Sequence, residues 1–163
     1  MNDAHLHMVV NHFPIIGTIL AIGILIAGLF TKNNGVKNTS YFLFIIAAIF
    51  GALSMGTGEG AEDLVKNLPN VGWEIIHEHE EIAEKLALLL YVLGLLSVVA
   101  LYLNYKKNAK EKIVSFIILG IALASLVVVQ KVGTSGGEIR HTEIRENSQN
   151  TSTEKENNDL DEK

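Results

Sequence analysis

Six histidines stand in this chain of 163 residues, and all of them border apolar stretches on the same side. His5, His7 and His12 head the first stretch, His77 and His79 lead into the third, and His141 follows the fourth. The opposite ends of these stretches carry lysines and no histidine. Imidazole is both a metal ligand and the side chain that exchanges protons near neutral pH, so this one-sidedness points to chemistry at one end of a helical bundle. Glu59 and Glu62 lie close by in sequence and add carboxylates that can orient an imidazole or bind a cation. The chain has no cysteine, which excludes disulfides, thiolate metal sites and covalent c-type haem attachment.

The elements that must position these residues are four apolar spans, at 9–30, 41–56, 82–103 and 113–132. Each approaches the ~20 residues that a hydrocarbon core requires. A soluble four-helix bundle would place a polar residue every third or fourth position, and the run from Tyr41 to Leu53 contains none. The reading is therefore an all-α, polytopic membrane four-helix bundle over residues 5–145, followed by a disordered polar tail at 146–163. The first span lacks a basic start and a small-residue cleavage site, so it reads as a retained span and not a signal peptide.

Lysines orient the bundle. The connections 31–40 and 104–112 carry Lys32, Lys37, Lys106, Lys107, Lys110 and Lys112 against Glu111 alone, while the segments on the other side are acidic. By the positive-inside rule both short connections are cytoplasmic, and both termini and the histidines face the outer, periplasmic side of a bacterial inner membrane. The net charge of −5, without a basic patch outside these connections, gives nucleic-acid binding no support. No nucleophile–base arrangement is visible, Ser135 beside glycines being insufficient, so stand-alone catalysis is not expected.

Helical phase selects among the histidines. His79 continues a stripe through Ala83, Leu86 and Leu90, whereas His77 shares its face with Glu80, Glu81 and Glu84. No second histidine falls four residues beyond either, so this is not a zinc-protease helix. His12 sits at the membrane boundary two residues before Pro14, which a first helical turn tolerates. The glycines at 56, 58 and 60, and the pair at 136 and 137, suggest sharp turns at the ends of the second and fourth spans. Gly17/Ala21, Gly23/Ala27 and Gly120/Ala124 have the spacing of close helix contacts. A turn is expected at 68–72, with a helix beginning near Trp73.

Two function classes follow. In the first, His12 and His79 ligate b-type haem, with Arg140 on its propionates and His141 as a third member. In the same class, a transition metal such as iron, copper or zinc would draw on His7, His12, Glu59, Glu62, His79 and His141. In the second, the histidines and glutamates form a structural or proton-handling network in a non-enzymatic subunit of a membrane complex or transporter.

The motifs His7-x4-His12-Phe-Pro, Thr57-Gly-Glu59-x-Ala-Glu62, His79-Glu-x-x-Ala83 and Gly136-Gly-x-Ile-Arg-His141-x-Glu-Ile together resemble the DUF2231-type family of small four-span bacterial membrane proteins. The resemblance covers the bundle and not the tail. It implies His12 and His79 ahead of His77. Fusions of some relatives to Rieske-type iron–sulfur or cytochrome-like modules imply redox partners. Where the wider group ends in Gly-Gly-x-Leu-Val-Tyr, this chain has Arg140 and His141 instead.

Overall fold

A computed structural model describes residues 2–68, 71–141 and 144–145. Among the described residues five helices follow one another: α1 (Asp3–Val10), α2 (His12–Phe30), α3 (Asn34–Val65), α4 (Trp73–Tyr105) and α5 (Lys110–Arg140). With α1 and α2 taken as one interrupted span, four segments are long and apolar enough to cross a membrane. Residues 69–70 of the expected turn and the tail at 146–163 lie outside the described residues.

The break in the first span has a local cause. Pro14 has no N–H for the Val10 carbonyl, and its ring crowds the turn before it, so the helix is interrupted at Asn11, ahead of the proline. The short α1 thereby becomes a separate arm, packed against α3. The remaining helices form a ring in which α2 packs on α3, α3 on α4, α4 on α5 and α5 back on α2.

α3, α4 and α5 have 32, 33 and 31 residues. At about 1.5 Å per residue they outrun the ~30 Å hydrocarbon core. Tight turns close one end, so much of the excess length belongs to the histidine end. The turns are far shorter than the charge pattern suggested: residues 31–33 join α2 to α3, and 106–109 join α4 to α5. Both use the same cap. Lys32 (φ 53°) and Lys107 (φ 51°) adopt the left-handed conformation. Asn33 N–H reaches the Gly28 carbonyl at 3.0 Å, and Asn108 N–H reaches that of Leu103 at 2.9 Å. A left-handed L-residue costs about 1–2 kcal/mol, offset in part by placing a cation at a helix C-terminus.

Polarity inside and outside is the reverse of a soluble bundle. Fully buried interior positions include Thr18, Ser40, Ser97, Ser115 and Ser125, while Phe30, Leu88, Leu95, Ile113 and Val127 are exposed. Thr18, Ser40, Ser115 and Ser125 return their hydroxyl hydrogens to a carbonyl one turn back in their own helix. Of the glycines the spacing picked out, Gly17 packs on Ala47, 3.6 Å from where its Cβ would be, but the tightest approaches occur elsewhere. A Cβ on Gly94 would stand 2.8 Å from Ala48 Cβ, and one on Gly28 would stand 2.8 Å from the Lys37 backbone nitrogen. Gly23 and Gly120 face open space.

The turn-forming role expected of the other glycines is corrected as well. α3 runs unbroken through Gly56, Gly58 and Gly60, and α5 through Gly136 and Gly137. Gly60 instead receives the Asp3 carboxylate, within 2.8 Å of where a Cβ would be, and so seats α1 on α3. The chain folds back only after His141. Ile144 packs on Gly137, and Arg145 donates to the Glu138 and Ile139 carbonyls at 2.9 and 3.4 Å.

Because the turns are short, Lys37 and Glu111 belong to helices and not to loops. They form a buried ion pair, Nζ to Oε2 at 2.6 Å, with 8% of each side chain exposed. Tyr41 donates its phenol hydrogen to Glu111 Oε1 at 2.7 Å, and Ser115 Oγ lies 3.0 Å from the same oxygen. α3 and α5 stand diagonally across the ring, so this network joins two helices that their neighbours otherwise hold apart. Lys37→Met strands the carboxylate and should cost about 3–5 kcal/mol, whereas Lys37→Met with Glu111→Leu should recover most of it. Melting temperatures of the three proteins in one detergent check this; equal losses in the single and double variants would contradict it.

Candidate functional site

At the histidine end, four helices contribute to one group of side chains. His7, near the end of α1, is half-buried, and its Nδ1 lies 3.1 Å from the Ser54 carbonyl and 3.1 Å from Thr57 Oγ1, both on α3. A carbonyl only accepts, and the Thr57 hydroxyl spends its own hydrogen on the Leu53 or Ser54 carbonyl. Nδ1 of His7 therefore carries the hydrogen, and Nε2 keeps its lone pair. His79 on α4 repeats the arrangement. Its Nδ1 lies 2.9 Å from Ser135 Oγ on α5, a hydroxyl that also lies 3.3 Å from the Val132 carbonyl and can either accept from Nδ1–H or donate to its lone pair.

The two rings lie close enough for the charge of one to act on the other. Each rests on a glycine of a long helix. A Cβ on Gly58 would lie 3.8 Å from His7 Cε1, and one on Gly136 would lie 3.1 Å from His79 Cε1. The site thus consists of two imidazoles anchored through Nδ1 by hydroxyls and a carbonyl, with both Nε2 atoms remaining for a proton or a ligand.

Other candidates from the sequence fall elsewhere. The residue that meets His79 is His7 and not His12. His12 is exposed, with Nδ1 2.6 Å from the Met8 carbonyl on its own chain segment. The physical reason is the interruption at Asn11, which separates His12 from the α1 arm that docks His7 on α3. Glu59 is exposed, and half-buried Glu62 faces Glu80 of α4 within hydrogen-bonding reach. Arg140 and His141 are exposed, and His141 caps α5 through its N–H to the Gly137 carbonyl at 2.9 Å. The arginine that reaches back to the bundle is Arg145, which motif reasoning did not single out. His5 is exposed. His77 stacks on Trp73 with ring centroids 4.7 Å apart and faces Glu80 and Glu81 at 3.8 and 3.6 Å.

Among the described residues, no three His, Asp or Glu side chains assemble as a metal-holding group. Ser54, Thr57 and Ser135 were not read as anchors of the histidines, because a hydroxyl at the end of an apolar span has no distinctive spacing. The signal that could have found them is coincidence of depth: each lies near a helix end on the histidine side.

Gly136→Ala tests the anchoring of His79. The added methyl forces the ring to shift by a few tenths of an ångström, and overpacking of this kind costs about 1–3 kcal/mol. Gly133→Ala, one turn earlier and with nothing within 4 Å, should leave stability unchanged. Melting temperature together with the His79 ring ¹⁵N shifts provides the measurement; identical behaviour of the two variants would refute the contact.

Comparison with known proteins agrees with the architecture. No curated relative and no solved structure matches the chain. The family described as a predicted membrane protein (DUF2231) matches residues 4–143, from α1 to just past the end of α5. That span includes both anchored histidines, and the chain belongs to the DUF2231 family of membrane proteins.

Proposed function

We propose that this integral membrane protein is a proton-handling, non-enzymatic subunit of a larger membrane assembly, with His7 and His79 as its proton-accepting pair. The observation that carries this reading is the pairing: both rings are anchored through Nδ1 alone, so Nε2 of each is left to exchange a proton in one half-buried place. Hydroxyls can pass a proton onward, and none of the groups anchoring the two rings is a carboxylate that would hold it fixed. The position suits the role, because His7 and His79 lie just outside the apolar runs that begin at Val9 and Ile82.

A second reading is favoured by the same anchoring. A metal-bound histidine ordinarily donates its other ring nitrogen to a carbonyl or polar group, as His7 does to the Ser54 carbonyl. His7 and His79 would then be the two axial ligands of a b-type haem, serving cytochrome or iron–sulfur partners. A non-haem iron, copper or zinc ion would need further ligands than this pair supplies.

Ring ¹⁵N spectra of the purified protein in detergent separate the readings. Proton handling predicts that both rings titrate in coupled steps below the ordinary imidazole value, because burial disfavours the imidazolium, and that His79→Gln leaves His7 a single step. Independent titration of the two rings would overturn the pair. A Soret band or stoichiometric metal, lost in His7→Gln and His79→Gln, would establish the second reading instead.

We place the protein in a bacterial cytoplasmic membrane with the turns at 31–33 and 106–109 inside, as their lysines favour. The chain lacks cysteine, so single labels are clean. In intact cells an impermeant maleimide should modify Glu59→Cys, and should reach Ala109→Cys only after permeabilisation; the reverse pattern would invert the topology.

A further inference from the structure

An open groove of about 690 Å³ runs between α4 and α5 on the outside of the bundle, away from the interior. The His79–Ser135 bond sets the register of these antiparallel helices, so the lining can be ordered by depth. Glu78 and Glu138 stand level at the histidine end, with Glu81 one turn below. Seven residues further in on each helix, about 10 Å deeper, come Lys85 and Lys131. Val127 and Val128 lie deeper again, and Val127 is 61% exposed. From the rim inward the order is acidic, basic, apolar.

That order is the charge pattern of a zwitterionic phospholipid in reverse. The ammonium of such a lipid is outermost, its phosphate lies beneath, and its acyl chains are deepest. Lys85 approaches Glu81 at 3.6 Å, whereas Lys131 makes no ion pair among the described residues. A cation at the edge of the apolar zone is stabilised by an anion at the same depth, and a lipid phosphate is available there. We propose that the groove seats a phospholipid bearing a primary ammonium. Its phosphate rests on Lys131 and Lys85, its ammonium hydrogen-bonds with Glu78, Glu81 and Glu138, and its chains run over Val127 and Val128. A primary ammonium has N–H donors for these carboxylates that a choline headgroup lacks. An anionic glycerol headgroup would bring no cation to them.

Native mass spectrometry of the full chain in detergent, with dioleoyl lipids added at equal concentration, tests the site independently of the histidine pair. The wild type should retain phosphatidylethanolamine about tenfold better than phosphatidylglycerol or phosphatidylcholine. Lys131→Met should lose that retention, Lys131→Arg should keep it, and Glu78→Gln with Glu138→Gln should abolish the headgroup preference. These residues are on the surface, so melting temperatures should match the wild type. Equal retention of the three lipids, or undiminished ethanolamine-lipid binding in Lys131→Met, overturns the proposal. Displacement by millimolar O-phosphoethanolamine overturns it too, by showing a site for a soluble ligand.

Discussion

A bilayer provides no water for an unpaired polar group, and that constraint governs nearly every feature of this chain. It forces the backbone into helices. It also explains why most of the buried hydroxyls in the ring turn back on their own carbonyls: a serine that closes its hydrogen bond within one helix can face a neighbour at close range. The Lys37–Glu111 pair obeys the same rule at higher stakes. Each charge would be costly alone in the interior, and the phenol of Tyr41 donates a further hydrogen bond to the carboxylate. Because the partners lie on diagonal helices, satisfying them also sets how the two hairpins meet.

The two ends of the bundle consequently have different characters. At the lysine end, two capped turns of three and four residues, a buried ion pair and the Asn104–Asn38 bond at 2.6 Å leave little freedom. Lys37, Glu111, Asn38 and Asn104 each have a fixed partner there. At the histidine end the helices project past the apolar zone, and the polar groups are imidazoles, hydroxyls and carboxyls, which change protonation or exchange partners at small cost. A protein that must hold its shape in lipid while exchanging protons or ligands at one surface benefits from this division.

The long helices and the start of α4 at Trp73 were readable from hydropathy, because apolar length and the Gly72–Trp73 boundary are local properties. The histidine partnership was not. Its place at the membrane boundary and the family motifs put His12 with His79, but the helix is interrupted at Asn11, α1 docks on α3, and the histidine whose charge acts on His79 is His7. Lys37 and Glu111 looked like ordinary loop charges, since nothing local reveals that a connection closes in three or four residues with a lysine in the left-handed conformation. Glycines misled for a related reason. The same residue that permits a turn also permits contact, and at Gly60 and Gly136 the contact was used, with Asp3 and His79 as the neighbours.

The position of His7 has a further consequence. α1 is only eight residues long, too short to be stable as an isolated helix, so its shape depends on docking to α3. The polar contacts of that docking include the His7 bonds to Ser54 and Thr57 and the seating of Asp3 on Gly60. The hydrogen bond that assigns His7 its tautomer is thus also one that holds α1 in place. Protonation at Nε2 leaves that bond intact, because Nδ1 remains the donor in imidazolium. Loss of the Nδ1 hydrogen bond would release both the ring and the helix that carries it. His79 differs, since α4 is held along its length by two neighbours whatever its ring does. The pair therefore combines one imidazole on a rigid helix with one on a docked arm, and the arm is the part through which a partner or a change of ligand could open the site.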